Sequence, residues 1–242
     1  DRQLNEDGPT VICMQEVIES KFDRILSRYG PSQCAYSLPL RVKGRFETRE
    51  RELGVCTIAV NCSIKEYSLA QYSVFPERTL YTRIEYEGKE LGILNFHSLT
   101  GADFKKAKSA NFKALASFVS DKSNHIDFLS FDANEPEKDL LNMEEVKFYD
   151  NHDKGAGASL LMGHNRIHTL SDAFRTYIHQ KGIEINTEPL AVSHVNRGYN
   201  KRFDYIFHSP KWKVHALEYQ HAPALEASSD HALVKGIFES NF

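Results

Sequence analysis

Short apolar runs recur along the whole chain, and this pattern constrains the fold more than any other feature of the sequence. Residues 79–86 alternate as a half-buried strand does, with Leu80, Thr82 and Ile84 facing one way. The pair Gly88-Lys89 separates them from another apolar run, which predicts a β-hairpin. Such strands must pair into sheets, because an unpaired strand leaves its backbone N–H and C=O groups without partners. The other strand-like runs span 10–14, 53–60, 91–96, 126–131, 203–207 and 232–238.

Two segments between these runs have helical spacing instead. Residues 103–119 carry apolar side chains on one face and three lysines on the other. Ser171 and Asp172 predict the cap of a shorter helix that ends near Gly182. Because strands outnumber helices and several pair as hairpins, we predict one α/β domain over residues 1–242 with mixed sheets rather than a doubly wound parallel sheet. The lysines of the first helix are Lys105, Lys106 and Lys108.

Composition excludes several classes of protein. Hydrophobic residues make up 41% of the 242 residues and charged residues 26%, which is ordinary for a globular protein and excludes a disordered or collagen-like chain. The formal net charge is -3, so nucleic-acid binding would need a local basic patch rather than the field of the whole protein. No apolar run approaches the ~18 residues of a membrane span. The cysteines at 13, 34, 56 and 62 lack C-x-x-C spacing and predict free thiols.

Acids, amides and histidines close most of the strand-like runs. Layered α/β proteins build sites in this way, because strand ends that meet in one crevice bring such side chains together. Phosphodiester hydrolysis needs a cation, a protonated imidazole and an amide around the phosphoryl oxygens, and a carboxylate for the proton of the attacking water. The sequence supplies all of these protein groups. They are Gln15-Glu16, Asn95 and His97, Asp132 and Asn134, Asp204, and Asp230-His231.

The order of these motifs resembles that of the endonuclease/exonuclease/phosphatase superfamily, the metal-dependent phosphodiesterases with a DNase I-like fold. The motifs are Q-E at 15–16, N-x-H at 95–97, D-x-N at 132–134, R-x-D-Y at 202–205 and S-D-H at 229–231. Each is weak alone, but five in family order, each beside a strand-like run, are specific. The resemblance covers most of the chain. It implies a four-layer α/β sandwich, in which two mixed β-sheets pack face to face with flanking helices.

The resemblance also implies the residues that handle the metal and the water. Glu16 and Asp230 are similar to the family's metal-binding carboxylates, and hard carboxylate oxygens suit Mg²⁺ or Mn²⁺. Asp132 resembles the aspartate that positions or deprotonates the attacking water, and Asn134 resembles the amide beside it. Plainer interpretations exist, since Glu16 alone would be a surface acid and Asp132 with Asn134 a simple turn. Their places in the motif order favour the functional interpretation.

The remaining site residues act on the phosphate. His231 resembles the imidazole that donates to a phosphoryl oxygen, and Asp204 resembles the carboxylate that fixes its tautomer and favours its charged form. His97 resembles the histidine near the leaving group in several branches, although a histidine after an apolar strand is often a satisfied core group. Gln15 is predicted to support the metal-binding glutamate, and Arg202 to anchor a loop rather than to touch substrate.

Two departures from the family pattern affect these expectations. Family members begin with a strand that ends in Asn and adds an amide on the metal side. The eight residues before Pro9 do not resemble such a strand, so we expect a domain that lacks its first strand. DNase I-type nucleases carry an arginine that reaches into a DNA groove two residues after the glutamate. Ile18 stands there, which weakens the expectation of duplex reading.

The substrate is therefore open. The leading expectation is a nuclease that acts on nucleic acid, above all DNA, as a monomer. The alternatives are a phosphatase or phospholipase-type phosphodiesterase of the same fold, and a non-catalytic binding module. No signal peptide is evident, so the cytoplasm is the default compartment. Among the polar segments, 41–52 is interpreted as a solvated loop rather than a lid, 151–157 as either a mobile loop or a linker, and 196–202 as either a phosphate contact or a solvated loop.

Overall fold

The structure is a computed structural model that describes residues 8–44, 47, 51–100, 104–149, 152–196 and 198–241. Within these ranges the strands are β1 (Thr10–Val17), β2 (Cys34–Tyr36), β3 (Gly54–Val60), β4 (Ser63–Ser68), β5 (Thr79–Tyr86), β6 (Lys89–His97), β7 (Phe128–Asp132), β8 (Ser171–Asp172), β9 (His194–Asn196), β10 (Tyr199–Lys201), β11 (Asp204–His208), β12 (Trp212–Gln220) and β13 (Leu233–Ser240). The α-helices are α1 (Glu19–Tyr29), α2 (Lys105–Ser120), α3 (Ala156–Met162), α4 (Ala173–Lys181) and α5 (His221–Glu226).

A six-stranded sheet forms the centre of the fold, in the order β4-β5-β6-β7-β11-β8. The sheet is mixed, because β6 and β7 run parallel while the other neighbours are antiparallel. One face packs against α2 and α3 through alternate strand residues. Phe96 stacks on Phe131 of the next strand and meets Phe112 of α2 edge to face. Burying each such ring stabilises the fold by roughly 1.5–3 kcal/mol.

The other face of this sheet carries a second layer made of two antiparallel pieces, β1-β3-β2 and β12-β13. Phe128 shows that both pieces lie on the same face, because its ring contacts Phe238 of β13 and belongs to the apolar cluster of Ala59 on β3. Outside this layer, α1 packs with Phe22 stacked on Tyr36 at 4.5 Å. The layers are therefore helix, sheet, sheet and helix, which confirms the predicted four-layer sandwich.

Four strand edges in the second layer have no neighbour among the described residues, and two of them belong to β1 and β13. There β1 pairs with β3 alone, and β13 pairs with β12 alone. Both strands still pack on the central sheet, β1 against β6 and β7, and β13 against β11. The expectation of a missing first strand stays a prediction, as does the assignment of residues 1–242 to one domain.

The strand-like runs and both helices of the sequence prediction are present in the structure. Asp172 caps α4 by accepting hydrogen bonds from the backbone N–H groups of Phe174 and Arg175, as its position predicts. The prediction that Lys108 lies on the polar face of α2 is wrong, because this side chain is fully buried. Its charge is compensated inside the fold, as described below. Asp103, the predicted start of that helix, lies outside the described residues.

Three residues of the charged segment 41–52 are anchored rather than simply solvated. Arg41 and Arg51 each approach the buried carboxylate of Glu77 at 3.5 Å, and both also pair with Glu47. The solvated-loop interpretation is therefore wrong for these residues. The interpretation agrees with the exposed residues Val42, Lys43, Gly44 and Glu52. The other residues of the segment, Arg45, Phe46, Thr48, Arg49 and Glu50, fall outside the described residues.

The other polar segments join defined elements. Residues 152–155 lead directly into α3, and Gly155, the N-cap residue before that helix, has a left-handed φ of 77°. Residues 194–196 and 199–201 pair as the antiparallel strands β9 and β10 rather than as an irregular loop. Asn151 and Arg197 of these two segments are not among the described residues. All four cysteines are free thiols, as predicted. No helix in the described ranges has both the length and the apolar character needed to cross a bilayer.

Candidate functional site

Three strand ends meet at one edge of the central sheet. His97 ends β6 and Asp132 ends β7, and the parallel register sets these two residues side by side. Asp204 begins the antiparallel strand β11 and lies opposite Asp132. Parallel strands end at a common edge, and an antiparallel neighbour begins there, so the register alone aligns an imidazole and two carboxylates in one row.

His231 reaches this row from the second layer, just before β13. Its Nδ1 lies 2.7 Å from Oδ2 of Asp204. Burial disfavours the imidazolium, but the hydrogen bond and charge of Asp204 outweigh it and raise the pKa of His231 to about 9. Tyr219 steadies the partner, since its hydroxyl donates to the backbone carbonyl of Asp204 at 3.0 Å. The pair therefore presents a positively charged imidazole near neutral pH.

Asp132 is buried and is held by the turn that follows it. Its Oδ1 accepts the backbone N–H of Asn134 at 2.8 Å, and its Oδ2 accepts the side-chain amide of the same residue at 3.2 Å. Burial and the neighbouring Asp204 carboxylate raise the pKa of Asp132 to about 8. A carboxylate with a raised pKa is a stronger base than a solvated one, which suits proton abstraction near neutral pH.

A buried ion pair supports this turn from behind. Nζ of Lys108 donates to the backbone carbonyl of Asn134 at 2.8 Å and pairs with the Glu135 carboxylate at 2.8 Å. The other oxygen of Glu135 accepts the backbone N–H of Tyr149. Asn134 has a left-handed φ of 49°, a conformation that Asn tolerates better than most residues. The ammonium group thus fixes the carbonyl of a residue whose amide group belongs to the site.

His97 has a defined protonation state and tautomer. Nη1 of Arg78 lies 3.0 Å from its Nδ1, and a guanidinium offers only donors, so Nδ1 must be the acceptor and Nε2 carries the proton. Burial and the charge of Arg78 lower the pKa of His97 to about 3. The Nε2 atom lies 3.4 Å from Oε1 of Glu16 and 3.5 Å from Oδ2 of Asp132. His97 is thus a neutral imidazole whose Nε2–H lies near two carboxylates, and it cannot serve as a cationic acid near neutral pH.

Glu16 lies near the end of β1, where the pairing with β3 shifts register between Met14 and Val17. Its φ of 54° is left-handed, which costs a Glu about 1 kcal/mol. The distortion turns a side chain that is 63% exposed toward His97. Strain at a non-glycine residue beside a cluster of polar groups is typical of functional sites.

Two groups of three potential metal ligands lie among the described residues, each with ligand atoms within 4.8 Å of one another. One combines Asp132, Asp204 and His231, and the other combines His194, Asp230 and His231. Glu16 belongs to neither group, so the structure does not draw Glu16 and Asp230 into one such cluster. Their assignment as metal ligands therefore stays a proposal.

Arg202 has the anchoring role expected of it, whereas the expected support of Glu16 by Gln15 stays a prediction, because the hydrogen bond of Gln15 goes to Asn95. Gln15 donates to Asn95 Oδ1 at 2.8 Å, which ties β1 to β6 below the site. Arg202 is fully buried and donates to both oxygens of Asp172, at 2.6 and 2.8 Å. Its guanidinium also lies 4.5 Å from the ring centroid of Tyr205. Arg202 therefore anchors the chain before β11 and does not face the site.

Arg78 and Lys108 are the site residues that sequence reasoning missed. Arg78 ends a short 3-10 helix, Pro76–Arg78, and nothing in its local pattern separates it from a surface arginine. Lys108 lies at a position where helical spacing allowed a solvated face. The sequence shows an acid, Glu135, directly after the D-x-N motif, but not that this acid is buried and therefore needs a cationic partner.

Comparisons with known proteins match the fold but not the sequence. No model of a protein family matches the chain, and a search of curated proteins finds no similar sequence. Among solved structures, the 3' phosphatase NExo from Neisseria, bound to product DNA hairpin, has a TM-score of 0.65 and 18% identity, covering 97% of this chain and 90% of that one. TDP2 from D. rerio, complexed with single strand DNA product, has a TM-score of 0.62 and 13% identity, covering 95% and 86%.

A third similar structure is the endonuclease/exonuclease/phosphatase from Bacteroides vulgatus, with a TM-score of 0.58 and 14% identity, covering 96% of this chain and 85% of that one. These matches extend over nearly the whole chain, as the order of the motifs predicts. The chain therefore has the DNase I-like fold of these structures, which confirms the fold that its sequence motifs predict.

Proposed function

We propose that the protein is a divalent-metal-dependent phosphoesterase that hydrolyses nucleic acid, above all DNA, as a monomer. One observation carries this proposal: Asp132, Asp204 and His231 come within 4.8 Å of one another at a sheet edge, with Asn134 hydrogen-bonded to Asp132. A base, a charged imidazole with its carboxylate and an amide are the groups that in-line attack on phosphorus requires.

Each residue has a task in this proposal. Asp132, in its ionised form, orients the attacking water and takes its proton. His231, held as an imidazolium by Asp204, donates to a phosphoryl oxygen, and the Asn134 amide donates to another or to the attacking oxygen. The neutral Nε2–H of His97 offers a further donor between the carboxylates. Because these groups are fixed by the fold before substrate arrives, little reorganisation is needed in the transition state.

The donor set also fits a hard cation. Glu16 presents an exposed carboxylate beside the buried carboxylate of Asp132, and carboxylate oxygens are the ligands that Mg²⁺ and Mn²⁺ prefer. We assign Glu16 and Asp230 as the residues that would hold it. When bound, such an ion supplies positive charge for the phosphoryl and leaving oxygens.

Two observations support a nucleic-acid substrate. The similar structures of NExo and TDP2 contain DNA products. In this chain, the β9-β10 hairpin adjoins the site, because His194 bridges to His231, and the hairpin carries Tyr199 with 71% of its surface exposed. An exposed aromatic ring provides a platform on which an unpaired base stacks. This favours single strands and DNA ends over duplex grooves, in agreement with Ile18 at the position of the groove-reading arginine.

The test is hydrolysis by the purified chain with Mg²⁺ or Mn²⁺, with and without EDTA. The substrates are supercoiled plasmid, a single-stranded oligonucleotide with a 3'-phosphate, inositol phosphates and phospholipid vesicles. We expect metal-dependent activity on the DNA substrates that falls at least a thousandfold in Asp132→Asn and His231→Ala. His215→Ala, on the exposed surface of β12, is the matched control.

Each outcome separates one class of function from another. Activity on inositol phosphates or vesicles alone would contradict the nucleic-acid substrate, but it would still support the assignment as a hydrolase. Binding of DNA without turnover of any ester would indicate a non-catalytic module. Turnover that survives both substitutions would refute the assigned roles.

A further inference from the structure

A second group of potential ligands adjoins the proposed catalytic residues. His194, the first residue of β9, forms an antiparallel bridge with His231, and Asp230 precedes His231 in the chain. The potential ligand atoms of the three side chains lie within 4.8 Å of one another. Because directly bridged residues on antiparallel strands project from the same face, the backbone itself sets the two imidazoles side by side.

The side chains of this group have unmet bonding capacity. The His194 ring packs between Phe203, at 5.7 Å between ring centroids, and His231, at 4.4 Å. Its Nδ1 is buried and has no hydrogen-bond partner among the described residues. The Asp230 carboxylate is exposed and makes no hydrogen bond with any described residue. Buried polar atoms are normally satisfied, so an unpartnered imidazole nitrogen beside an open carboxylate points to a ligand.

The chemistry of the group selects the ligand. Two imidazoles and one carboxylate are a donor set for Zn²⁺, whereas Mg²⁺ and Ca²⁺ prefer oxygen alone. Zinc bonds of about 2.0–2.2 Å in a tetrahedron set ligand atoms about 3.3 Å apart. The exposed Asp230 side chain is free to rotate into such a position. With Nδ1 of His231 engaged by Asp204, its Nε2 would face the metal, in the carboxylate–histidine–metal arrangement common in zinc proteins.

We propose that His194, Asp230 and His231 form a Zn²⁺ site whose occupation inhibits the hydrolysis proposed above. A metal on Nε2 of His231 takes the position of the proton that this imidazole would donate to the phosphoryl oxygen. The inhibition rests on the proposed function, whereas the binding of zinc does not. This zinc site differs from the magnesium position assigned to Glu16 and Asp230 in its donor atoms, which include two imidazole nitrogens, and in its effect, which is inhibition. The two positions share the carboxylate of Asp230.

Calorimetric titration of the full chain with ZnCl₂, after removal of bound metal with a chelating resin, tests the site. We expect one zinc ion per chain and at least a tenfold loss of affinity in His194→Phe, which keeps a ring between Phe203 and His231. Asp230→Asn is nearly isosteric and exposed, so it should fold and lose affinity as well. His215→Phe is the control and should bind zinc as the unmodified chain does. Equal zinc affinity in His194→Phe or in Asp230→Asn would overturn the site.

The second arm measures Mg²⁺-supported hydrolysis at increasing Zn²⁺, each variant relative to its own rate without zinc. His194→Phe should need at least tenfold more zinc than the unmodified chain for half inhibition. Zinc binding without inhibition would overturn the inhibitory role. A chain that binds one zinc through these residues but hydrolyses none of the substrates would contradict the proposed function and support the site alone.

Discussion

Asp204→Asn tests the charge pairing at the centre of the site. The pKa of His231 rises from 6.5 to about 9, against the effect of burial, because Asp204 accepts its Nδ1 hydrogen bond and carries a negative charge. Each pKa unit corresponds to about 1.4 kcal/mol, so the folded site favours the imidazolium by about 3 kcal/mol. Asn keeps the size of the side chain and can still accept the hydrogen bond, but it removes the charge.

The dependence on pH follows from the direction of the shift. The pKa of His231 is higher in the folded chain than in the unfolded chain, so its stabilisation is complete below pH 6.5 and is lost as the pH rises through about 9. We expect Asp204→Asn to lower the free energy of unfolding by up to about 3 kcal/mol at pH 6. At pH 10 the loss of free energy should be smaller, because the imidazole of His231 is then mostly neutral. The variant also lacks the repulsion between the Asp132 carboxylate and a negative charge at position 204.

Two measurements check this expectation. Urea unfolding at pH 6 and pH 10 gives the change in free energy, and NMR titration of the imidazole resonance of His231, assigned with His231→Gln, gives its pKa. The NMR titration should show a pKa well below about 9 in the variant, because the charge of Asp204 is lost and only the weaker effects of Asp132 and Asp230 still oppose burial. Asp23→Asn, on the exposed surface of α1, is the control. An unchanged His231 pKa, with equal destabilisation at both pH values, would refute the charge-pairing argument.

Three further predictions follow from buried polar groups. Arg78→Met should raise the pKa of His97 from about 3, because the positive charge of Arg78 is removed, and NMR titration checks this. The same substitution should reduce the rate of hydrolysis at least tenfold, because Nδ1 of His97 loses the donor that fixes its tautomer, and kinetics check this. Lys108→Met should lower stability in urea unfolding by about 3–5 kcal/mol, because the Glu135 charge is left buried without a partner, whereas Lys108→Met with Glu135→Gln should recover most of it. Burial lowers the pKa of His168 to about 4, so protonation of the unfolded chain should remove about 2 kcal/mol of stability between pH 7 and pH 5, and His168→Gln should lack this loss.

The order of the strands and the polar residues at their ends were predictable from sequence. Two-residue periodicity marks β5 and β6 directly, and Asp132 follows a run whose apolar character requires burial. What the sequence could not provide is the register between strands. That His97, Asp132 and Asp204 stand in one row depends on a parallel pairing between strands separated by α2, and local periodicity carries no information about such pairing.

The parts that escaped prediction depend on contacts between distant segments. Lys108 was assigned to a solvated face because helical spacing places it there, yet α2 buries it against the turn at Asn134. The hairpin that carries His194 is too short, at three residues per strand, to show periodicity. The β12 strand was missed because charged residues interrupt it on its exposed face. In each case tertiary packing, not local sequence preference, decided the outcome.

The left-handed backbone at Glu16 has a consequence for any effort to engineer this protein. A glycine at position 16 would adopt the φ of 54° without the steric cost of about 1 kcal/mol, but it loses a similar amount of backbone entropy on folding, so Glu16→Gly should leave the free energy of unfolding nearly unchanged while removing the carboxylate. A selection for thermal stability alone would therefore not retain the residue assigned to the cation. The most heat-resistant clones from such a library should be tested first for the activity that they have given up.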